Sequence, residues 1–276
     1  MDAVETAITF PCGDATLVGI LHRPPRAARR GVVIVVGGPQ YRVGSHRQFL
    51  LLARDLAAAG HAVLRFDYRG MGDSGGAFAG FEAIADDIRA AIDSLCVRVP
   101  EVVEVILWGL CDGASAIAFY AHGDARVGGI ALVNPWVRTE AGAARTQLRH
   151  YYLKRFFSGD FWRRLLTGKF RPGRALSDLR STVDNATAEY TAESDALPAR
   201  VAAGLRAYRG RVLLVLSGDD LTAREFETTV LETPEMTAWA AGPDITLRRL
   251  PDANHTFSRA EWRARVQGWL RAWLDG

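Results

Sequence analysis

Two hundred and seventy-six residues, 49% of them hydrophobic, suffice to bury one large α/β core with room for an inserted subdomain. The net charge of +3 is small for this length, Met1 to Phe10 lacks a basic-then-apolar leader pattern, and the run Val32 to Val36 is far too short to span a bilayer. Three cysteines (Cys12, Cys96, Cys111) with no metal-ligand spacing fit a reducing compartment, so a cytoplasmic protein with no transmembrane segment, no metal and no cofactor is expected.

In chain order, Glu5 to Phe10 and Thr16 to His22 are short alternating runs around Cys12-Gly-Asp, which predicts an opening antiparallel hairpin. Gly31 to Val36 has the continuous β-branched character of a strand buried on both faces. Ser45 is placed to cap a helix over Arg47 to Ala59; His61 to Phe66 reads as the next strand and Phe81 to Val97 as the next helix. An apolar run then ends in Trp108-Gly-Leu-Cys-Asp-Gly-Ala-Ser, and an Ala-rich helix follows to about His122. Strands over Gly129 to Val133, Val212 to Leu216 and Ile245 to Leu250, with helices over Ala223 to Leu231 and Arg259 to Leu274, complete the pattern. This alternation predicts a doubly wound, mainly parallel sheet, interrupted only by the long segment Asn134 to Arg209. The core is accordingly expected over 1–134 and 210–276, with a helical cap over 135–209.

That middle segment is compositionally distinct. Trp136 to Arg180 carries eleven cationic side chains against three anionic ones, so it holds +8 of a chain total of +3 and leaves the remainder at −5. Aromatics (Tyr151, Tyr152, Phe156, Phe157, Phe161, Trp162, Phe170) are interleaved at spacings that suit a helical pair. One reading packs the aromatics on the sheet and leaves the arginines to water; the other makes this a surface for an anionic partner, such as an acyl carrier protein, coenzyme A or an acidic sugar. Nucleic acid is not expected, because the chemistry that follows needs none.

Cys111 stands in G-x-C-x-G at a strand-to-helix junction, where glycines let strand and helix approach closely around a side chain held on a sharp turn. A helix N-terminus there favours negative charge on the sulfur. A base must come from elsewhere: His122 is about 16 Å along the same helix, and His150 lies in the insertion, which leaves His255 in the loop after the last strand. The orienting acid is expected after the preceding strand, at Asp220 or, alternatively, Asp219. Oxyanion donors would be the amides of Asp112 and Gly38, since Pro39 has no N–H. Gln40, Tyr41, Arg42 and His46 follow at the same mouth, either gripping a substrate anion or merely ordering the loop. Asp67-Tyr-Arg-Gly-Met-Gly-Asp-Ser lacks a phosphate-loop signature and reads as a structural loop ordered by Asp67 and Arg69.

Gly37-Gly-Pro-Gln, the Asp67 loop, Gly109 to Gly113, Ser217-Gly-Asp-Asp and Asn254-His255 together resemble the α/β-hydrolase superfamily over all but the cap. Gly37-Gly-Pro-Gln-Tyr-Arg-Val-Gly-Ser-His-Arg-Gln-Phe and Trp108-Gly-Leu-Cys-Asp-Gly-Ala-Ser are similar, more closely, to the exosortase A system-associated hydrolase 1 family. Cysteine replaces the superfamily's usual serine, a departure shared with dienelactone hydrolases. The chemistry expected is a cysteine-dependent acyl hydrolase or acyltransferase acting on an acyl-thioester or ester, as a thioesterase working on acyl-carrier or acyl-CoA substrates. Alternatives are dienelactone-hydrolase-like or carboxylesterase hydrolysis of a small anionic ester or lactone, with Arg42 as clamp, and a non-catalytic binding protein with a basic cap.

Overall fold

The structure, a computed structural model, describes residues 3–38, 40–137 and 192–276. The hairpin β1 (Val4–Cys12) and β2 (Ala15–Arg23) opens the chain. There follow β3 (Arg30–Val35), α1 (Gln48–Ala58), β4 (Ala62–Asp67), α2 (Ala85–Arg98), β5 (Glu104–Leu110), α3 (Asp112–Tyr120) and β6 (Val127–Val133). From residue 192 on come α4 (Ala192–Ala207), β7 (Arg211–Ser217), α5 (Leu221–Phe226), α6 (Pro234–Ala240), β8 (Ile245–Leu250) and α7 (Ala260–Asp275). The strands form one eight-stranded sheet in the order β1-β2-β4-β3-β5-β6-β7-β8, antiparallel only at the β1/β2 and β2/β4 pairs. This is the mainly parallel, doubly wound sheet that the alternation of strands and helices predicts.

The central strands are apolar without alternation because helices cover both faces: Val32 to Val35, Ile106, Leu107 and Ile130 to Leu132 are all buried. Helix α1 meets the sheet through Phe49, Leu52, Ala53, Leu56 and Ala57, the three-and-four spacing of a single helical stripe. The cap expected over 135–209 falls for the most part on residues outside those described. Its last helix, α4, buries Val201 and Leu205 in the same core as the sheet, so that stretch packs as core.

Two local expectations are corrected. Ser45 does not cap α1; its hydroxyl and amide turn back to Gln40 Oε1, and Arg47, at φ 60°, begins the helix with no side-chain cap. Helix α6 was not foreseen: Pro234 at its first turn sets the starting φ, but only Met236 of its seven residues is buried, so its hydrophobic signal is weak.

A polar relay crosses the antiparallel side. Arg65 on β4, buried, donates from Nε to His22 Nε2 at 2.9 Å and from its guanidinium to the Arg42 carbonyl at 3.3 Å. His22 Nδ1 faces Glu5 Oε1 at 3.8 Å, beyond hydrogen-bond range. Burial, reinforced by the Arg65 cation, pushes the His22 imidazole down to about 4. The folded protein therefore binds fewer protons here than the unfolded chain once pH drops below about 6.5, and stability falls as pH descends from there to about 4. The expected loss is about 3 kcal/mol at the low plateau. Urea denaturation of the native protein and His22→Gln at pH 7 and pH 4.5 checks this; parallel losses in the two proteins would assign the acid sensitivity elsewhere.

Candidate active site

Three chain segments meet at the C-terminal edge of the sheet. The first is the turn between β5 and α3. Cys111 has φ 62° and ψ −130°, a region L-residues avoid, and it is held there by its amide on Val133 O (3.0 Å) and its carbonyl under the amides of Ala114 (3.0 Å) and Trp136 (3.1 Å). The flanking glycines are a packing requirement. A Cβ on Gly109 would lie 2.8 Å from the Ala114 amide nitrogen, and one on Gly113 would lie 2.6 Å from Val35 O.

The second segment follows β7. Asp220, in extended conformation, accepts from the amides of Thr222 (3.1 Å) and Ala223 (3.2 Å) and so caps α5, while Arg224 braces the Gly218 carbonyl at 2.6 and 3.0 Å. The third follows β8, where His255 presents Nδ1 to Asp220 Oδ2 at 2.8 Å. The adjacent Asp219 is exposed and spends its amide on Ala253 O at 3.0 Å, so the structure pairs His255 with Asp220. Burial of the imidazole opposes its positive charge, but hydrogen bonds to Asp220 and Cys111, with the charges of both, prevail and hold His255 up at about 10. Asp220 and His255 are thus in direct contact, and the imidazole is held protonated at neutral pH.

Asn134, unremarked in the sequence, ties these segments together. Fully buried at φ 45°, it donates from Nδ2 to Ser217 Oγ (2.9 Å) and His255 O (3.0 Å) and accepts from the Ser217 amide at Oδ1 (2.8 Å). Ser217 Oγ in turn donates to Asn254 O at 3.1 Å. A polar residue ending the wholly apolar β6, of a type that tolerates positive φ, was the available signal.

In the loop after β3 the side chains follow the loop-ordering alternative. Arg42 is not a free clamp: it is buried, its amide donates to Asp67 Oδ1 at 2.7 Å, and its guanidinium binds Asp67 Oδ2 and, at 2.8 Å, Asp73 Oδ2. Two carboxylates neutralise it, leaving no unpaired charge for a substrate anion. Tyr41 donates its hydroxyl to Asp73, and Gln40 Oε1 receives Ser45, so both order the loop. His46 is exposed at φ 54° in the turn before α1. Asp67 organises its own loop as anticipated, while Arg69 pairs with Asp87 at 2.8 to 3.1 Å.

One expected oxyanion amide is engaged as well: Gly38 N–H donates to Asp112 Oδ1. Burial pushes the Asp112 carboxyl up, against the pull of neighbouring backbone amides and of His255. Tyr68, buried beside Asp112 and Cys111, has its phenol raised by burial and by the neighbouring negative charges. Among the described residues no group of His, Cys, Asp or Glu is arranged to hold a metal ion, and no helix is long and apolar enough to cross a membrane.

Residues 27–212 match the family model described as serine aminopeptidase, S33. No curated protein matches the sequence. Among solved structures the chain is similar to an esterase of Pyrococcus furiosus, at 17% identity over 98% of this chain and 92% of that one, with a TM-score of 0.66. It is likewise similar to a dienelactone hydrolase from Anabaena variabilis (16% identity, 100% and 98% of the two chains, TM-score 0.64). A third likeness is to Est1E from Butyrivibrio proteoclasticus, solved with ferulic acid (15% identity, 98% and 100%, TM-score 0.63). At these identities the likenesses speak for the fold.

Proposed function

The chain belongs to the serine aminopeptidase S33 family of α/β hydrolases, and from that membership we propose that it hydrolyses carboxylic esters through a cysteine acyl-enzyme. The observation that carries the reading is the contact of His255 Nδ1 with Asp220 Oδ2 at 2.8 Å, at the same sheet edge where Cys111 is held at φ 62° on the turn between β5 and α3. The Cys111 sulfur attacks the ester carbonyl while its former proton sits on His255. The tetrahedral intermediate collapses, breaking the carbon–oxygen bond, and the departing alkoxide takes that proton from the ring. Water then gives a proton to His255 as its oxygen attacks the thioester, and the carboxylic acid leaves as the sulfur recovers its place beside the imidazolium. Asp220 keeps the ring oriented throughout. The amides of Gly38 and Asp112 are the donors assigned to the oxyanion. Esterases and a dienelactone hydrolase among similar folds agree with an ester substrate, and the neutralised Arg42 speaks against an anion clamp at that position.

A second reading is favoured by the sulfur itself and by the +8 charge of Trp136 to Arg180. Acyl exchange between two sulfurs is nearly level in energy, and a basic insertion suits an acyl carrier protein or coenzyme A. Matched acyl groups presented as aryl ester, lactone and coenzyme A thioester, compared by kcat/KM and by intact mass, decide between them. Faster turnover of the oxygen esters, with the acyl mass on Cys111, is expected. A clear preference for the thioester would install the second reading, and an adduct elsewhere would remove both.

A further inference from the structure

The Asp112 carboxylate lies where the reading above puts the substrate's carbonyl oxygen. Its Oδ1 accepts the Gly38 N–H, and a Cβ built on Gly37 would meet Leu110 O at 1.9 Å and come within 2.7 Å of Oδ1. Glycine at 37 therefore lets the loop after β3 approach both the end of β5 and this side chain. A carboxylate is also a fair likeness of an oxyanion: two oxygens, negative charge, and an affinity for converging N–H donors. The His255 cation acts on it favourably, while burial disfavours its charge.

Resting on the ester-hydrolase reading and deepening it, we propose that Asp112 is a specificity-determining gate: its carboxylate fills the oxyanion pocket at rest, swings aside for the substrate carbonyl, and then stands against any acyl group bearing negative charge next to that carbonyl. The substrate class this selects is esters whose α-carbon is uncharged. The displaced carboxylate stays on the first residue of α3 and so cannot leave the neighbourhood of the acyl group. Like charges about 5 Å apart in a partly desolvated site disfavour one another by on the order of thirty-fold in rate.

The test pairs two substrates with one leaving group, a butyryl ester and a hemimalonyl ester, against the native protein, Asp112→Asn and Asp112→Ala. The native protein is expected to favour butyryl over hemimalonyl by on the order of thirty-fold, and Asp112→Asn, which keeps an acceptor for Gly38 but loses the charge, to bring that ratio close to unity. Asp112→Ala, which empties the pocket, is expected to bind a trifluoromethyl ketone about tenfold more tightly, since the oxygen of its sulfur adduct no longer competes with a resident carboxylate. Intact mass after brief exposure to butyryl ester locates the acyl group in each variant, and thermal midpoints check folding. An unchanged ratio in Asp112→Asn with the acyl group on Cys111 overturns the gate alone, as does an Asp112→Ala that binds the ketone no better than the native protein. A native protein never acylated on Cys111 overturns the ester-hydrolase reading and the gate together.

Discussion

Cys111→Ala is expected to lower kcat/KM by on the order of 10⁵, the scale at which triad nucleophiles act, while the thermal midpoint moves little. Alanine is as strained at φ 62° as cysteine is, so the turn's stored strain stays in place. Cys111→Gly separates the two costs. It removes the nucleophile and relieves the backbone, and should unfold at higher temperature than the native protein by about 1 kcal/mol of added stability. Steady-state rates with an aryl ester, read beside calorimetric melting of both variants, check the pair. Activity surviving in Cys111→Ala within about tenfold would mean that the sulfur does not carry the reaction.

Asp220→Asn carries the next largest effect, about 10³ to 10⁴ in kcat, as when the acid of a serine-type triad is neutralised. Two features of the site make it informative. Asparagine is as good a helix cap as aspartate in general, and its single side-chain oxygen keeps one of the two bonds, from Thr222 or from Ala223, so α5 should loosen little. The imidazole loses its principal partner, so its pKa falls from about 10 toward its ordinary value of 6.5. The ring must be protonated to release the alkoxide. The native rate is therefore expected to hold through neutral pH and decline as pH rises through about 10, while in Asp220→Asn the decline begins at lower pH. A pH–rate profile of both proteins reads this directly; superimposable alkaline limbs would show that Asp220 does not tune His255 in turnover. Asp219→Asn is the control. Its exposed carboxylate lies away from the ring, and the profile should not move.

The Asn134 network also explains why polar residues stand at the ends of β6 and β7, whose bodies are apolar. Asn134 follows β6 and Ser217 closes β7, and together with Asn254 they hydrogen-bond across the strand ends. Parallel strands bring their C-termini to one edge whatever loops they carry. The side chains found there need partners from other strands, because the strands' own ladders are ending.

How legible each part was in the sequence follows from the range of the interaction behind it. The strands, most helices, the turn at Gly109 to Gly113 and the contact of Asp220 with His255 were readable, because apolar period, turn residues and chain order are local features. The choice between Asp219 and Asp220 rested on the sharp turn at Gly218, which brings that residue's amide to Leu250 O at 2.9 Å and turns the following carboxylate toward the β8 loop. Other features depended on partners far along the chain. Arg42 looked available until Asp67 and Asp73, 25 and 31 residues on, were folded against it. Gly38 looked like a vacant donor until the Asp112 carboxylate arrived 74 residues later to receive it. Asn134 had no visible task until β7 and the His255 loop, 83 and 121 residues on, closed over it. What the order of amino acids determined alone is which groups this protein owns and on which ends of which elements they stand. Which charges are already spent on one another was decided only by the tertiary fold, because neutralisation depends on distances of about 3 Å between segments whose separation in the chain carries no trace of it.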